Sequence, residues 1–128
     1  EAAPGKVTFA GRLTPPEVCA LMQSCSIFVL PSFHEGSPKA LLEAMACAMV
    51  VVATRVIGSE ELIEDGVNGF LCDTTEPSIT QVLQRAAGID AAHAEEMGRK
   101  GREFILENCS FEAVMRQEVA VLQRLKKD

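Results

Sequence analysis

The sequence predicts an α/β fold in which helices flank a parallel sheet. Short apolar runs of strand length alternate with longer segments that have helical periodicity. Residues 26–30 and 50–54 are apolar at nearly every position, which is typical of strands covered on both faces of a parallel sheet. With 128 residues the chain can bury a substantial core, so we expect one domain over residues 1–128.

Residues that favour the ends of helices and strands mark the elements of the first half of the chain. Thr14 is suited to cap a helix that Pro15 opens, and Ser37 is predicted to cap a second helix with Pro38 at its first helical position. Pro31 ends the strand before it. The predicted elements are a strand at 7–10, a helix at 14–24, a strand at 26–30, a helix from 37 to about 47 and a strand at 50–54.

The second half is predicted to be mainly helical. The pairs Asp65-Gly66 and Asn68-Gly69 indicate turns around one short strand. The predicted elements are a helical turn at 59–64, a strand at 70–72, a loop at 73–77 and helices at 78–88, 91–108 and 111–126.

Composition excludes a nucleic-acid-binding protein. The net charge is −6, and aromatic residues make up 5% of the chain, with neither Trp nor Tyr. Proteins that bind nucleic acid use a basic surface or aromatic stacking platforms, and neither is indicated here. A small anionic ligand remains compatible with this composition, because the backbone amides of a helix N-terminus can hold it.

The cysteines predict free thiols. Their number is odd, and their spacing matches neither a metal knuckle nor a Cys-x-x-Cys pair; they are Cys19, Cys25, Cys47, Cys72 and Cys109. Free thiols are typical of a reducing cytoplasm. The sequence also has no apolar run of membrane-spanning length. We therefore expect a cytoplasmic protein.

The strongest candidate site is the segment at 31–38, which follows the most hydrophobic strand. In open parallel sheets ligands bind beyond the carboxyl ends of the strands, where helix N-termini also point. Gly36 permits close approach of a ligand to the backbone, and the amides after Ser37 have no acceptor within the helix.

Two carboxylates belong to this segment and to the helix that follows it. Glu35 lies on the loop, and Glu43 lies about one and a half turns into the helix among apolar neighbours. A buried carboxylate there requires hydrogen-bond donors, which a ribose diol supplies. The alternative is that Glu43 faces solvent or pairs with Lys39, and spacing alone leaves both open.

Linked motifs then resemble a known family. Residues 35–46 read Glu-Gly-Ser-Pro-Lys-Ala-Leu-Leu-Glu-Ala-Met-Ala, which resembles the Glu-x7-Glu motif of retaining GT-B glycosyltransferases in the family called group 1 or family 4. Further matches lie at residues 7–11, 27–32, 51–54 and 58–71. The resemblance implies the C-terminal, Rossmann-like domain of such an enzyme, without its first strand–helix units.

The resemblance also implies residue roles. Glu35 would contact the transferred sugar near its reacting carbon, Glu43 would hold the ribose, and backbone near Gly11 and Arg12 would hold the base. Glu61 matches an acidic position near the donor site. The loop implied to bind sugar hydroxyls and phosphate consists of Gly36, Ser37, Pro38 and Lys39.

The implied activity is transfer of a hexosyl group from a UDP-, GDP- or ADP-sugar to an acceptor, with retained anomeric configuration. No cofactor is expected, and the lack of an Asp-x-Asp sequence makes a metal-bound diphosphate unexpected. In this family an N-terminal domain binds the acceptor, so the isolated chain is expected to be inactive. The implied location is the cytoplasm, with peripheral association at the inner face of the membrane as an alternative.

Three positions depart from the family pattern. Ala48 and Val50 stand where Gly and Pro are usual, and Ile57 stands at the first position of a common Gly-Gly pair. Ala in a left-handed conformation after a helix costs on the order of 1 kcal/mol. These departures motivate a second hypothesis, a noncatalytic nucleotide-binding or regulatory module of the same fold. A GT-B nucleotide-sugar epimerase is a third hypothesis, but it requires acid–base groups that the sequence does not display.

Overall fold

A computed structural model describes residues 6–125 and confirms the α/β fold. Within that range the elements are α1 (Pro15–Ser24), β1 (Ile27–Leu30), α2 (Lys39–Ala46), β2 (Val50–Thr54), α3 (Ile57–Glu60), β3 (Phe70–Cys72), α4 (Glu76–Ala87), α5 (Ala91–Asn108) and α6 (Phe111–Leu125). None of the helices in this range combines the length and the apolarity that crossing a bilayer requires.

The three strands form a parallel sheet in the order β1-β2-β3. Ile27 is paired with Val50, and Val52 is paired with Phe70. Every residue of the central strand β2 is buried. Because the strands are parallel, the loops that follow β1 and β2 leave the sheet at the same edge.

The core lies on both faces of the sheet. Alternate residues of β2 face opposite sides, so Val51 packs in one apolar cluster and Val52 in the other. The first cluster joins α1, α2 and the C-terminal half of α5, and the second joins α4 and the N-terminal half of α5. The strand β1 is covered less completely than its sequence predicts, since Val29 is 37% exposed.

The predicted strand at 7–10 is wrong. These residues have no strand structure, and Phe9 is 91% exposed. A strand requires a hydrogen-bonded neighbour. In the described range the sheet contains only β1 to β3, so the apolar alternation at 7–10 has no partner strand.

Several predicted boundaries also need correction. Ser37 is not the cap of α2, because the cap is Pro38 and the helix begins at Lys39. The predicted loop at 73–77 is shorter, since α4 begins at Glu76 with a proline in its first turn. The helical turn predicted at 59–64 lies earlier, at residues 57–60. The helix at 91–108 is confirmed, and Lys126 of the last predicted helix lies outside the described residues.

The end of α2 confirms the expectation for Ala48. Its φ is +57°, the left-handed value that favours glycine. The Ala48 N–H donates to the Met45 carbonyl at 2.9 Å, and the Met49 N–H donates to the Ala44 carbonyl at 3.2 Å. These two bonds form a Schellman motif, which ends the helix in spite of the alanine.

Candidate functional site

Glu35 lines an open cavity at the carboxyl edge of the sheet. This Glu35 cavity has a volume of about 480 Å³ and is lined by Phe33, His34, Glu35, Gly36, Val56 and Ile57. It lies between the loop after β1 and the residues that follow β2. Glu35 thus lies beyond the carboxyl ends of the strands, where the sequence predicts a ligand site.

Hydrogen bonds fix the position of Glu35. The Ser32 hydroxyl donates to the Glu35 carboxylate at 2.6 Å, and the buried Thr54 hydroxyl donates to the Ser32 carbonyl. The Gly58 N–H donates to the Glu35 carbonyl at 3.0 Å. Thr54 at the end of β2 thus supports the Glu35 side chain through Ser32, and α3 holds the backbone of Glu35, which is half-buried.

Gly58 permits close contact between α3 and the Glu35 loop. A Cβ atom at position 58 would lie 2.8 Å from the carbonyl oxygens of Glu35 and Gly36. At Gly36, by contrast, an added Cβ would meet nothing within 4 Å. The free space at Gly36 therefore lies on the side of the loop that is open to solvent or ligand.

The N-terminus of α2 is suited to an anion. Among residues 6–125, no acceptor is bound by the N–H groups of Gly36, Ser37, Lys39 and Ala40. Acidic residues stabilise the first turns of α1, α4 and α6, but α2 has none there and begins with exposed Lys39. Both features favour a negative ligand at this helix end.

Glu43 lines a separate groove between α1 and α2. This Glu43 groove has a volume of about 370 Å³ and is lined by Leu13, Pro15, Val18, Cys19, Met22, Glu43, Ala46 and Cys47. Glu43 itself is exposed, and it makes no ion pair with Lys39 among the described residues. Of the two alternatives for Glu43, the structure shows the one in which the carboxylate faces solvent.

The predicted base-binding residues adjoin this groove. Gly11 and Arg12 are both exposed, and Gly11 has a left-handed φ of +69°. The next residue, Leu13, lines the Glu43 groove. The loop at 11–12 thus borders the groove that Glu43 lines, whereas Glu35 lines a different cavity.

Three further charged or polar residues lie around these sites, and of the three only His34 lines one of the two cavities. Glu61 is exposed and lines neither the Glu35 cavity nor the Glu43 groove. Arg55 forms an exposed ion pair with Glu60 at 3.8 Å. His34 is exposed on the rim of the Glu35 cavity, and its side chain makes no hydrogen bond to the described residues.

Comparison with known sequences identifies the family. The sequence model of the family "Glycosyl transferases group 1" matches residues 1–87. The chain belongs to this glycosyltransferase family. One similar protein is the alpha-maltose-1-phosphate synthase of Mycobacterium tuberculosis. It is 31% identical over 120 residues, which cover 89% of this chain and 31% of the relative.

Solved structures place the glycosyltransferase chain in the GT-B fold. Sucrose-phosphate synthase from Thermosynechococcus elongatus aligns with a TM-score of 0.83 at 26% identity, over 94% of this chain and 30% of the other. HepE of Anabaena, in complex with UDP and glucose, aligns with a TM-score of 0.81 at 22% identity, over 94% and 33%. The chain spans less than a third of the length of the curated relatives it matches.

Sequence reasoning did not find the residues that support Glu35. Ser32 lies three residues before Glu35, a spacing that permits a side-chain hydrogen bond across a turn. This spacing is the sequence signal from which the contact between Ser32 and Glu35 could have been predicted. The contribution of Thr54 has no comparable signal, because it lies 22 residues from Ser32 and reaches it only through the pairing of β1 with β2.

Proposed function

We propose that this chain is the donor-binding part of a retaining glycosyltransferase that uses a nucleotide-diphosphate sugar. The observation that carries the proposal is the pair of sites on α2. The Glu35 cavity is lined by the loop that leads into this helix, and the Glu43 groove lies along the side of the helix toward its C-terminal end. A donor with a sugar at one end and a nucleoside at the other matches this arrangement.

The diphosphate is assigned to the N-terminus of α2. Its free N–H groups and Lys39 would stabilise the negative charge that develops as the bond between the anomeric carbon and the diphosphate oxygen breaks. Because these donors are fixed by the helix, they need no reorganisation during the reaction. A crystal structure of HepE, a protein of the same fold, contains UDP and glucose, which supports a donor of this class.

The two carboxylates are assigned different roles. Glu35, held by Ser32, would orient the sugar and favour positive character at the anomeric carbon. Glu43 is accessible, and the loop at 11–12 borders the same groove, so the two Glu43 oxygens would accept the ribose hydroxyls while that loop contacts the base. The acceptor would be bound by a part of the protein outside this chain, and the isolated chain would therefore not turn over.

A noncatalytic nucleotide-binding module is the second candidate. Ile57 lines the Glu35 cavity and is 74% exposed, so its side chain occupies space where a sugar or an acceptor would lie. This observation concerns only the Glu35 cavity. The module hypothesis therefore predicts nucleotide binding without transfer or donor hydrolysis.

The test uses the full-length protein that contains this chain. Nucleoside diphosphates of uridine, guanosine and adenosine are screened by calorimetry, and the best is then tested as its sugar derivative for transfer. We expect binding that Glu43→Ala weakens and that Glu107→Ala, the same change at an exposed position of α5, leaves unchanged. Absence of binding to every nucleotide would contradict the proposal, and binding without transfer or hydrolysis would favour the module.

The remaining expectations stay predictions. They are a metal-independent reaction, transfer of a hexose, and location in the cytoplasm or at the inner face of the membrane. Titration of the transfer reaction with a chelator tests the first. A strict requirement for a divalent cation would contradict it.

A further inference from the structure

Two cysteines line the Glu43 groove. Cys19 belongs to α1, Cys47 follows the last residue of α2, and both line the groove with Glu43. Both are free thiols. Burial, and then the nearby Cys19 thiol, raise the pKa of the Cys47 thiol.

We propose that Cys19 and Cys47 are a redox modification site, where a reversible disulfide closes the Glu43 groove. The inference rests on the proposed function, because it takes the groove as the nucleoside site. The two cysteines belong to opposite walls of the groove, so a bond between them would join α1 to α2. Cys47, the residue after α2, lies four residues from Glu43, and its N–H donates to the Glu43 carbonyl at 3.0 Å, which places the bond beside this residue.

The oxidant we propose is a small-molecule disulfide such as glutathione disulfide. The Cys19 thiol, which is exposed, loses its proton and attacks one sulfur of that disulfide, releasing one thiolate that takes up a proton. The Cys47 thiol then loses its proton and attacks the Cys19 sulfur of the mixed disulfide, releasing the second thiol. The two cysteines are oxidised, and one external disulfide is reduced to two thiols.

The crosslink would narrow the groove. A disulfide requires the sulfur atoms to approach to about 2.05 Å, which is closer than a contact between two thiols. Drawing α1 against α2 at this point removes space beside Glu43. Reduction would restore the open groove, so the pair would couple donor binding to the thiol–disulfide balance.

The other cysteines are less suited to such a bond. Cys25 is exposed, and its sulfur lies 4.0 Å from the Ser24 hydroxyl oxygen. Cys72 is buried in β3, where its thiol contacts the Ala53 carbonyl, and Cys109 is half-buried after α5. They provide the internal controls for the experiment.

The first measurement maps the disulfide in the full-length protein. The reduced protein is treated with glutathione disulfide, quenched with iodoacetamide, digested with trypsin and analysed by mass spectrometry. Trypsin places Cys19 and Cys25 together in the peptide at 13–39 and Cys47 in the peptide at 40–55, so Cys25→Ser is needed to assign the bond. We expect these peptides to be linked in the wild type and in Cys25→Ser, but separate in Cys19→Ser. Glutathione adducts alone, or a link that persists in Cys19→Ser, would overturn the proposal.

The second measurement compares nucleotide binding before and after oxidation. We expect oxidation to weaken the affinity for the preferred nucleoside diphosphate by about tenfold or more, as for loss of a hydrogen bond to a charged group, and dithiothreitol to restore it. In Cys19→Ser the affinity should be the same before and after treatment. Equal affinities of the linked and the reduced wild type would overturn the proposal. If the reduced protein binds no nucleotide, the proposed function fails, and the peptide map alone decides whether the pair is a disulfide site.

Discussion

The Ser32 hydroxyl donates a 2.6 Å hydrogen bond to the Glu35 carboxylate. Ser32 follows β1 by two residues, and its carbonyl accepts a hydrogen bond from Thr54 at the end of β2. The sheet thus holds Ser32, and Ser32 holds Glu35. A side chain fixed in this way is oriented before a ligand arrives, which is the arrangement that electrostatic catalysis requires.

Removal of the Ser32 hydroxyl should impair transfer more than folding. In the full-length protein we expect Ser32→Ala to lower kcat about tenfold, since a hydrogen bond to a charged group contributes about 1.5 kcal/mol or more. The affinity for the nucleoside diphosphate should be unchanged, and Ser32→Thr should recover part of the rate. Ser24→Ala is the matched control, because it removes an exposed hydroxyl that donates to Leu21 at 2.7 Å. A kcat for Ser32→Ala equal to that of the control would show that Ser32 does not position Glu35.

Alanine substitution at Gly58 and at Gly36 should separate folding from binding. The Cβ of Gly58→Ala would lie 2.8 Å from two backbone oxygens of the Glu35 loop, so we expect transfer to fall and the free energy of unfolding to drop by about 1–3 kcal/mol. Gly36→Ala meets no atom within 4 Å in the free chain, so its stability should stay close to that of the wild type. Its affinity for the nucleotide sugar should nevertheless fall, because the donor is expected to approach that backbone. Denaturant unfolding and calorimetry on the same two variants measure both effects, and full donor affinity in Gly36→Ala would remove the loop from the donor site.

Ala48→Gly should stabilise the protein. The φ of +57° at Ala48 costs an alanine about 1 kcal/mol relative to glycine, so the free energy of unfolding should rise by about that amount. Ala46→Gly makes the same chemical change at the last residue of α2 and should lower it by about 0.5–1 kcal/mol. Chemical denaturation of the two variants gives the comparison. A loss of stability in Ala48→Gly would mean that contacts of the methyl group outweigh the backbone strain.

The start of α1 should contribute to stability in a pH-dependent manner. The Thr14 hydroxyl and the Thr14 N–H donate to the Glu17 carboxylate at 2.6 and 2.7 Å, and they lower the pKa of Glu17 below its usual value of 4.5. This contribution is complete above pH 4.5 and is lost as the pH falls through the pKa of the folded state. Glu17→Gln should therefore destabilise the protein at neutral pH, and the difference from the wild type should shrink in acid.

The measurement for Glu17 is denaturant unfolding at neutral pH and again below pH 4.5. Glu118→Gln, at an exposed position of α6, serves as the control and should show no such dependence. A difference between Glu17→Gln and the wild type that grows in acid would contradict the assigned bond.

The sequence predicted those parts of the fold that depend on local signals. Continuous apolar runs located β1 and β2, and the cap residue Thr14 and the two prolines after it located α1. The left-handed turn at Ala48 followed from the family pattern. The strand at 7–10 was wrong because strand formation depends on a neighbouring strand, which no local pattern reports.

The candidate site was predicted less completely. Its position beyond β1 followed from the order of elements, and the resemblance supplied Glu35 and Glu43. The separation of the two carboxylates into a cavity and a groove was not indicated, because it depends on how α1 packs against α2. Their roles stay predictions until binding and turnover are measured.

The most direct test measures nucleotide affinity and turnover in Glu35→Gln and Glu43→Gln of the full-length protein. We predict that Glu43→Gln weakens the binding of the nucleoside diphosphate about tenfold or more. Glu35→Gln should leave that affinity within about twofold, yet lower kcat on the order of a hundredfold, since it acts only on the sugar. Equal loss of nucleotide affinity in both variants, or no loss in either, would contradict the assignment of Glu35 to the sugar and Glu43 to the ribose.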